Sequence, residues 1–292
     1  MNFAQLRAFN AVATHRTFMA AAQALGITQS AITQNIKALE QSVGTSLFTR
    51  TGTRVELTAS AHDLLPRVRE VVLALEDLGS RISKTRDLRL GHLSIGLCAP
   101  YVAMPIFERF SASHPGITLN VRLGNSSNLL DLVAQHAVDV AIVTLLAPDD
   151  DFVCEKLVDQ EVMVLVHPGH PWWTLDHIKA QDLAAEPFIM RETGSMTRQI
   201  FERAMTRLKV PVTTRLVLGS REAVKEAVAA GLGLGIVLNR ELGRDPRVKG
   251  IRVTGADLAA GEYLVALPRN RERGVIREFF AVARGQLASG ED

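Results

Sequence analysis

The chain holds 292 residues, 47% apolar and 22% charged, which excludes a collagen-like, low-complexity or disordered polypeptide. That length predicts about two domains, with core enough to need no disulfide or metal staple. Thirty-three Lys and Arg against 31 Asp and Glu leave only +2, but residues 1–90 carry 11 and 7 (net +4) and the remainder 22 and 24 (net −2).

Two cysteines, Cys98 and Cys154, are too few for a disulfide framework. No apolar run approaches the roughly 18 residues of a membrane span. The amino terminus shows no basic segment followed by an apolar one. A cytoplasmic setting with no membrane partner is the expectation.

In chain order, the first elements read as three helices. Phe3, Leu6, Phe9, Val12 and Ala13 recur at helical spacing; Thr17 caps a short Ala-rich helix that Gly26 ends. Thr28 caps a third helix with Ile32, Ile36 and Leu39 on one face. After Gly44, Leu47–Leu57 alternates and turns at Thr51-Gly52, a small β-hairpin. From Thr58 to about Arg89 a long helix is predicted. Its apolar positions Ala61, Leu64, Val68, Val71, Leu75, Leu78 and Ile82 fall 3 and 4 apart in turn, a heptad seam suited to pairing with a second copy. Pro66 interrupts it.

Beyond residue 90 the pattern alternates β and α. Strands are expected at Leu93–Leu97, Ile117–Leu123, Val138–Val143, Phe188–Met190, Thr213–Leu218, Ile236–Leu238 and Tyr263–Leu267. Helices are expected at Met104–Phe110, Leu129–His136, Met196–Leu208, Ser220–Ala230 and Val275–Gln286. This is the signature of βαβ units around a mostly parallel sheet, in two sections separated at His167–Pro171. Ligands of such sheets sit at the carboxyl ends of the strands.

The segment AAQALGITQSAITQNIKALEQSVGTSLFTRTGTRVELT resembles the winged helix-turn-helix of LysR-type transcriptional regulators. Ala21-Ala22, Leu25, Thr28–Thr33, Leu39-Glu40, Gly44, Leu47-Phe48, Arg50 and Leu57-Thr58 carry the match at fixed spacings. SREAVKEAVAAGLGLGIV (Ser220–Val237) and RETGSMTR (Arg191–Arg198) are similar to the effector-binding half of the same family, so the likeness spans nearly the whole chain. Ser30, Gln34 and Ser60-Ala61 depart from the commonest residues there.

The resemblance implies an α/β protein in three parts: a winged helix-turn-helix over 1–58, a linker helix over 59–90, and a two-lobed effector domain over 91–292 resembling periplasmic binding proteins. Lobe 1 would take about 91–161 and 267–292, and lobe 2 about 162–266. It also implies a transcriptional regulator rather than an enzyme, acting as a homodimer or homotetramer, with RNA polymerase as a further partner. No cofactor, metal or catalytic residue is expected.

With Ile32, Ile36 and Leu39 buried, the third helix offers Thr28, Gln29, Ser30, Thr33, Gln34 and Lys37 to double-stranded DNA. Gln pairs with adenine through two hydrogen bonds, Ser and Thr serve several bases, and Lys37, Arg50 and Arg54 suit phosphate. For an isolated helix a solvated polar face would be the simpler reading; the family match and the front-loaded charge favour DNA.

In the second half, loops at strand ends open helices whose free N–H groups favour an anion. They supply Ala99, Pro100 and Tyr101; Asn125, Ser126 and Ser127; Thr144; and Thr193, Gly194, Ser195, Met196 and Thr197, with Arg191 and Arg198 nearby. Such a set suits a carboxylate, phosphate, phosphonate or sulfonate effector. Plain N-capping is the competing explanation for each hydroxyl. Gly231–Gly235 follows a helix and precedes a strand, opposite to a dinucleotide fingerprint. A solute-binding protein would share the two-lobed pattern, and residues 1–90 argue against it.

Overall fold

The computed structural model describes residues 1–51, 54–82, 91–98 and 100–288, with the backbone alone at 50, 51, 54, 76–82 and 286–288. The chain divides into two units, Met1–Asp87 with Gln135–Ala137, and Leu88–Ala134 with Val138–Asp292.

The first unit is α1 (Phe3–His15), α2 (Phe18–Leu25), α3 (Gln29–Val43), β1 (Phe48–Thr51), β2 (Arg54–Leu57) and α4 (Ala59–Ile82). Its boundaries follow from side-chain caps, which satisfy amides the helices leave unpaired. Asn2 and Gln5 form a reciprocal capping box on α1, and the hydroxyls of Thr17 and Thr28 accept from Ala20 and Ala31 N–H. Gly26 and Gly44 end α2 and α3 in the left-handed conformation.

The wing is tied down at three points. Glu40 accepts from Leu47 N–H at 2.8 Å, Thr58 donates its hydroxyl to Ser46 O at 2.9 Å, and Val55 N–H donates to Arg16 O at 3.0 Å. Phe9, Ile32, Ile36, Leu39 and Leu47 close the core.

The long helix runs through Pro66 without ending. The seam expected along it divides in two. Of its members, Ala61 is buried and Leu64 and Val68 half-buried in the core of this unit, whereas Val71 and Leu75 are exposed; Leu65 and Val72, outside the expected seam, are buried beside Ala61. The side chains of Leu78 and Ile82, and residues 83–90, lie outside the described residues. Half of the stripe is thus ordinary core.

The second unit begins β3 (Gly91–Leu97), α5 (Pro100–Ser113), β4 (Ile117–Leu123), α6 (Ser126–Ala134), β5 (Val140–Leu145) and β6 (Val153–Val166). It continues β7 (His177–Lys179), β8 (Pro187–Arg191), α7 (Met196–Leu208), β9 (Thr213–Leu218), α8 (Arg221–Ala229) and β10 (Gly235–Leu238). It ends β11 (Lys249–Thr254), β12 (Ala259–Ala266) and α9 (Gly274–Ala288). The large sheet has the order β4-β3-β5-β12-β6-β11-β7, with β10 also on β6 and β8-β9 as a separate pair.

The expectation of a mostly parallel sheet needs correction. β3, β4 and β5 are parallel, as are β8 and β9, but β12 runs antiparallel to both β5 and β6, and β10 and β11 antiparallel to β6. Three strands went unpredicted, β6, β7 and β11; the one that changes the topology most is β6, where Glu155, Lys156, Asp159 and Glu161 interrupt the apolar pattern. Its Val153–Glu161 stretch pairs with β12 and its Val162–Val166 stretch with β10 and β11.

One strand therefore passes through both lobes. The lobe border expected at 266–267 moves as well: β12 lies in the first lobe's sheet against β5, so the return crossing comes near Leu258, whose carbonyl accepts from Val162 N–H at 3.0 Å. Separate cores fill the lobes, one around Phe110, Phe279 and Leu264, the other around Phe188, Phe201 and Ile236. Met196 packs against cores of both.

The glycine-rich Gly231–Gly235 stretch turns α8 into β10. Gly231 adopts φ 75°; Gly233 adopts φ 155°, with the place a Cβ would take 2.5 Å from Pro187 O. That approach lets Leu234 N–H donate to Pro187 O and Ile189 N–H to Leu234 O, joining β8 to the sheet. Gly233→Ala should cost about 1–3 kcal/mol from backbone conformation alone, before any steric push. A lower thermal midpoint of the sensor unit in calorimetry checks this, and an unchanged midpoint contradicts it.

Candidate functional site

The head presents α3 on its surface. Gln29, Ser30, Gln34 and Lys37 are exposed, opposite buried Ile32, Ile36 and Leu39. Thr33 is half-buried, its hydroxyl donating to Gln29 O at 2.9 Å. Thr28 is committed to capping, and its hydroxyl also meets that of Ser30 at 2.9 Å. Arg50 lies on β1 opposite Val55 and Arg54 on β2 opposite Thr51; their side chains fall outside the described residues. The buried face fixes the roll of the helix and leaves amides, hydroxyls and an ammonium outward.

In the sensor, strand ends and helix starts converge on a small pocket of about 30 Å3. Its lining includes Cys98, Asn125, Ser126, Thr144, Arg191, Ser195, Thr197 and Arg221. Among the described lining residues there are two guanidinium groups and no carboxylate. Ser195 is the N-cap of α7 without using its side chain as a cap, and neither its hydroxyl nor that of buried Thr197 bonds to a described residue. A helix start with uncommitted donors is suited to an anion.

The other expected residues occupy varied places. Asn125 caps α6 by accepting from Asn128 N–H and donates its amide to Glu192 across the cleft at 3.2 Å. Ser127 meets Gln199 across the same opening at 3.4 Å. A Cβ on Gly194 would lie 2.6 Å from the Asn125 amide, so the walls touch there. Arg191 forms a two-pronged pair with Glu192, both contacts 2.8 Å. Burial alone would push Glu192 up, but that pairing holds its carboxyl below the usual range.

Arg198 donates to Arg191 O and pairs with Glu202, bracing the wall instead of lining the pocket. Thr193 is exposed, its carbonyl accepting from Gln199; Met196 lines the pocket from the side. Pro100 opens α5, and Tyr101, largely exposed, lines a second pocket of about 70 Å3 with Arg221, Glu222, Lys225, Glu241 and Leu242. Ala99 lies outside the described residues.

The floor carries groups that sequence reasoning missed. Fully buried Glu262, on β12, accepts from the Cys98 thiol (3.2 Å), the Thr144 hydroxyl (3.1 Å) and the Gln160 amide (3.5 Å). Thr144 N–H in turn donates to the Ser126 hydroxyl at 3.2 Å. Burial pushes the Glu262 carboxyl up, against the pull of those three donors. Arg221 and Glu241 also went unnoticed, since one opens a helix and the other ends the single turn Asn239–Glu241, with no spacing to link them.

Two family matches bear on these two sites. Residues 3–62 match the bacterial regulatory helix-turn-helix protein of the lysR family, and residues 86–288 match the LysR substrate binding domain. The chain belongs to the LysR family. This LysR-type protein is a DNA-binding transcriptional regulator and not an enzyme. It is 31% identical over 245 residues to the HTH-type transcriptional regulator CfxR of Cupriavidus necator, across 83% of this chain and 77% of that one. Full-length OxyR from Pseudomonas aeruginosa shares the fold with a TM-score of 0.76 at 19% identity over 97% of each chain. The regulatory domain of Synechocystis PCC6803 CcmR in complex with 2-PG superposes with a TM-score of 0.62 at 22% identity, over 68% of this chain and 99% of that one. Among the described residues no helix is long and apolar enough to cross a membrane.

In this regulator the pocket cysteine is chemically quiet. Burial, then the neighbouring Glu262, raises the Cys98 thiol well above its ordinary value, and thiolate is the reactive form. Cys154 is raised too, chiefly by partial burial. Cys98 in the folded protein should resist iodoacetamide at pH 8 and react on denaturation. Peptide mass spectrometry reads the outcome; labelling of Cys98 at the rate of a free thiol contradicts this environment.

Proposed function

We propose that this LysR-type regulator is controlled by a small anionic metabolite held between the sensor lobes, and that it reads sequence through α3. The observation carrying the first part is the pocket at the start of α7, whose described lining holds the uncommitted Ser195 and Thr197 hydroxyls and two guanidinium groups, with the nearest carboxylates, Glu192, Glu241 and Glu262, set behind it. A carboxylate, phosphate, phosphonate or sulfonate meets donors on several sides there. The 2-PG complex of the CcmR regulatory domain supports a small-molecule ligand for this fold. Asn125, Ser126, Thr144, Arg191, Ser195, Met196 and Thr197 are assigned to this ligand, Ser195 and Thr197 as its direct donors, with Arg198 bracing the wall and Tyr101 belonging to the second pocket.

For the head we assign Gln29, Ser30, Thr33 and Gln34 to base edges and Lys37, Arg50 and Arg54 to phosphates, with Thr28 holding the helix start. Residues 1–58 form the head, 59–90 the linker and 91–292 the sensor. The exposed Val71 and Leu75 supply an apolar strip for self-association, in a homodimer or homotetramer, and paired heads suit half-sites about one helical turn, roughly 34 Å, or a multiple apart. RNA polymerase is the further partner such a promoter-bound assembly would meet.

An anion bound only by the folded sensor raises its melting temperature in proportion to the logarithm of concentration. Sulfate, phosphate and 2-PG, tested at matched ionic strength, should stabilise the protein where glycerol and ammonium chloride do not. Stabilisation confined to neutral or cationic compounds sinks the anion assignment.

Gln29→Ala should lower affinity for the cognate operator by about 1–3 kcal/mol and leave random duplex almost untouched. Equal loss on both, in a fluorescence anisotropy titration, means that Gln29 does not read a base.

A further inference from the structure

Arg221 stands at the junction of the two sensor pockets and lines both. Its Nη2 lies 2.6 Å from Glu241 Oε1 and donates to Cys98 O at 3.1 Å. The Glu241 contact is close but poorly directed: neither Oε1 nor the buried Arg221 Nε has a properly formed hydrogen bond. The side chain of Glu241 is only 2% exposed, and a second buried carboxylate, Glu262, has no cation at ion-pair distance among the described residues. Two buried carboxylates thus share the field of one nearby guanidinium, itself incompletely satisfied, at the wall of a cleft.

Resting on the reading that this cleft takes an anion, we propose that Arg221 is the group that receives it. Without ligand Arg221 neutralises Glu241; an arriving anion draws the guanidinium towards itself, and Glu241 takes up a proton from solvent. One anion and one proton enter together. The guanidinium stays charged throughout, and the carboxylate becomes a carboxylic acid, so no unpaired charge is left buried.

The surroundings favour this exchange. Burial, then Glu262, pushes the Glu241 carboxyl up to about 7, even with Arg221 and the more distant Arg191 pulling it down. Facing the second pocket from α8 are Glu222 and Lys225; Lys225 is already engaged with Leu242 O and Asp245. Tyr101 faces it from α5, and Arg240 precedes Glu241 on its own turn. Cys98, whose thiol is held protonated, lies beyond Arg221. With Arg221 withdrawn, no other described cation lies at ion-pair distance from Glu241.

The sign follows from the linkage. Binding raises the carboxyl's pKa, so the liganded protein holds more protons and binding weakens as pH rises. Affinity should be level below about pH 7 and fall by up to tenfold per pH unit above it.

Sulfate is the probe, because its charge is constant from pH 6 to 9. Titration calorimetry of the full chain at pH 8, in two buffers of different ionisation enthalpy, counts protons taken up per sulfate. The expected result is uptake approaching one proton, abolished in Glu241→Gln, which should also bind sulfate at pH 8 about as tightly as the unaltered protein does at pH 6.5. Arg221→Gln should lose at least tenfold in affinity; if it fails to fold, Glu241→Gln alone still decides. Sulfate binding without proton uptake, or with uptake unchanged in Glu241→Gln, overturns the exchange and leaves the anion cleft standing. Failure of sulfate, phosphate and 2-PG alike to bind overturns both.

Discussion

The sensor depends on the antiparallel pairing of β6 with β12. Because β6 is long enough to pair with β12 in the first lobe and with β10 and β11 in the second, the lobes share a continuous backbone ladder. The strand passes between lobes around Gln160–Val162, where Val162 N–H donates to Leu258 O. The cleft opens against that seam, and Glu262, beside the register shift in β12, forms its floor.

The same placement explains why the floor is polar. Glu262 projects from a strand at the centre of the sheet, where water cannot solvate it, and three donors, one just past the end of β3 and the others on β5 and β6, compensate. Each donor comes from a different strand or strand end, so the carboxyl also fixes how those strand ends are arranged. Thr144 links this floor to the Ser126 hydroxyl at the start of α6, and hence to a wall of the pocket.

Local elements were legible in the sequence because local rules made them. The spans Ile117–Leu123, Met196–Leu208 and Thr213–Leu218 match residue for residue, and the caps at Thr17 and Thr28 are where side-chain chemistry demands them. What was hidden is non-local. The charged face of β6 masked a strand whose partners lie about a hundred residues away. The seam of α4 hid that a helix can spend one half of a stripe on its own core, since periodicity reports which residues are apolar and not what they meet. In the cleft, hydroxyls after strand ends could be expected from helix starts, but Arg221, Glu241 and Glu262 meet only through tertiary structure. Arg198, adjacent to the pocket in sequence, braces the wall because its reach is taken by Arg191 O and Glu202.

Met196 gives the cleft a mechanical character. Its half-buried side chain packs against the cores of both lobes at once, at the first residue of α7. Protein interiors are close-packed, so such a wedge cannot slide by fractions of an ångström without opening a void on one side or a clash on the other. A ligand that favours one arrangement of the lobes therefore acts on a contact shared by both of their cores.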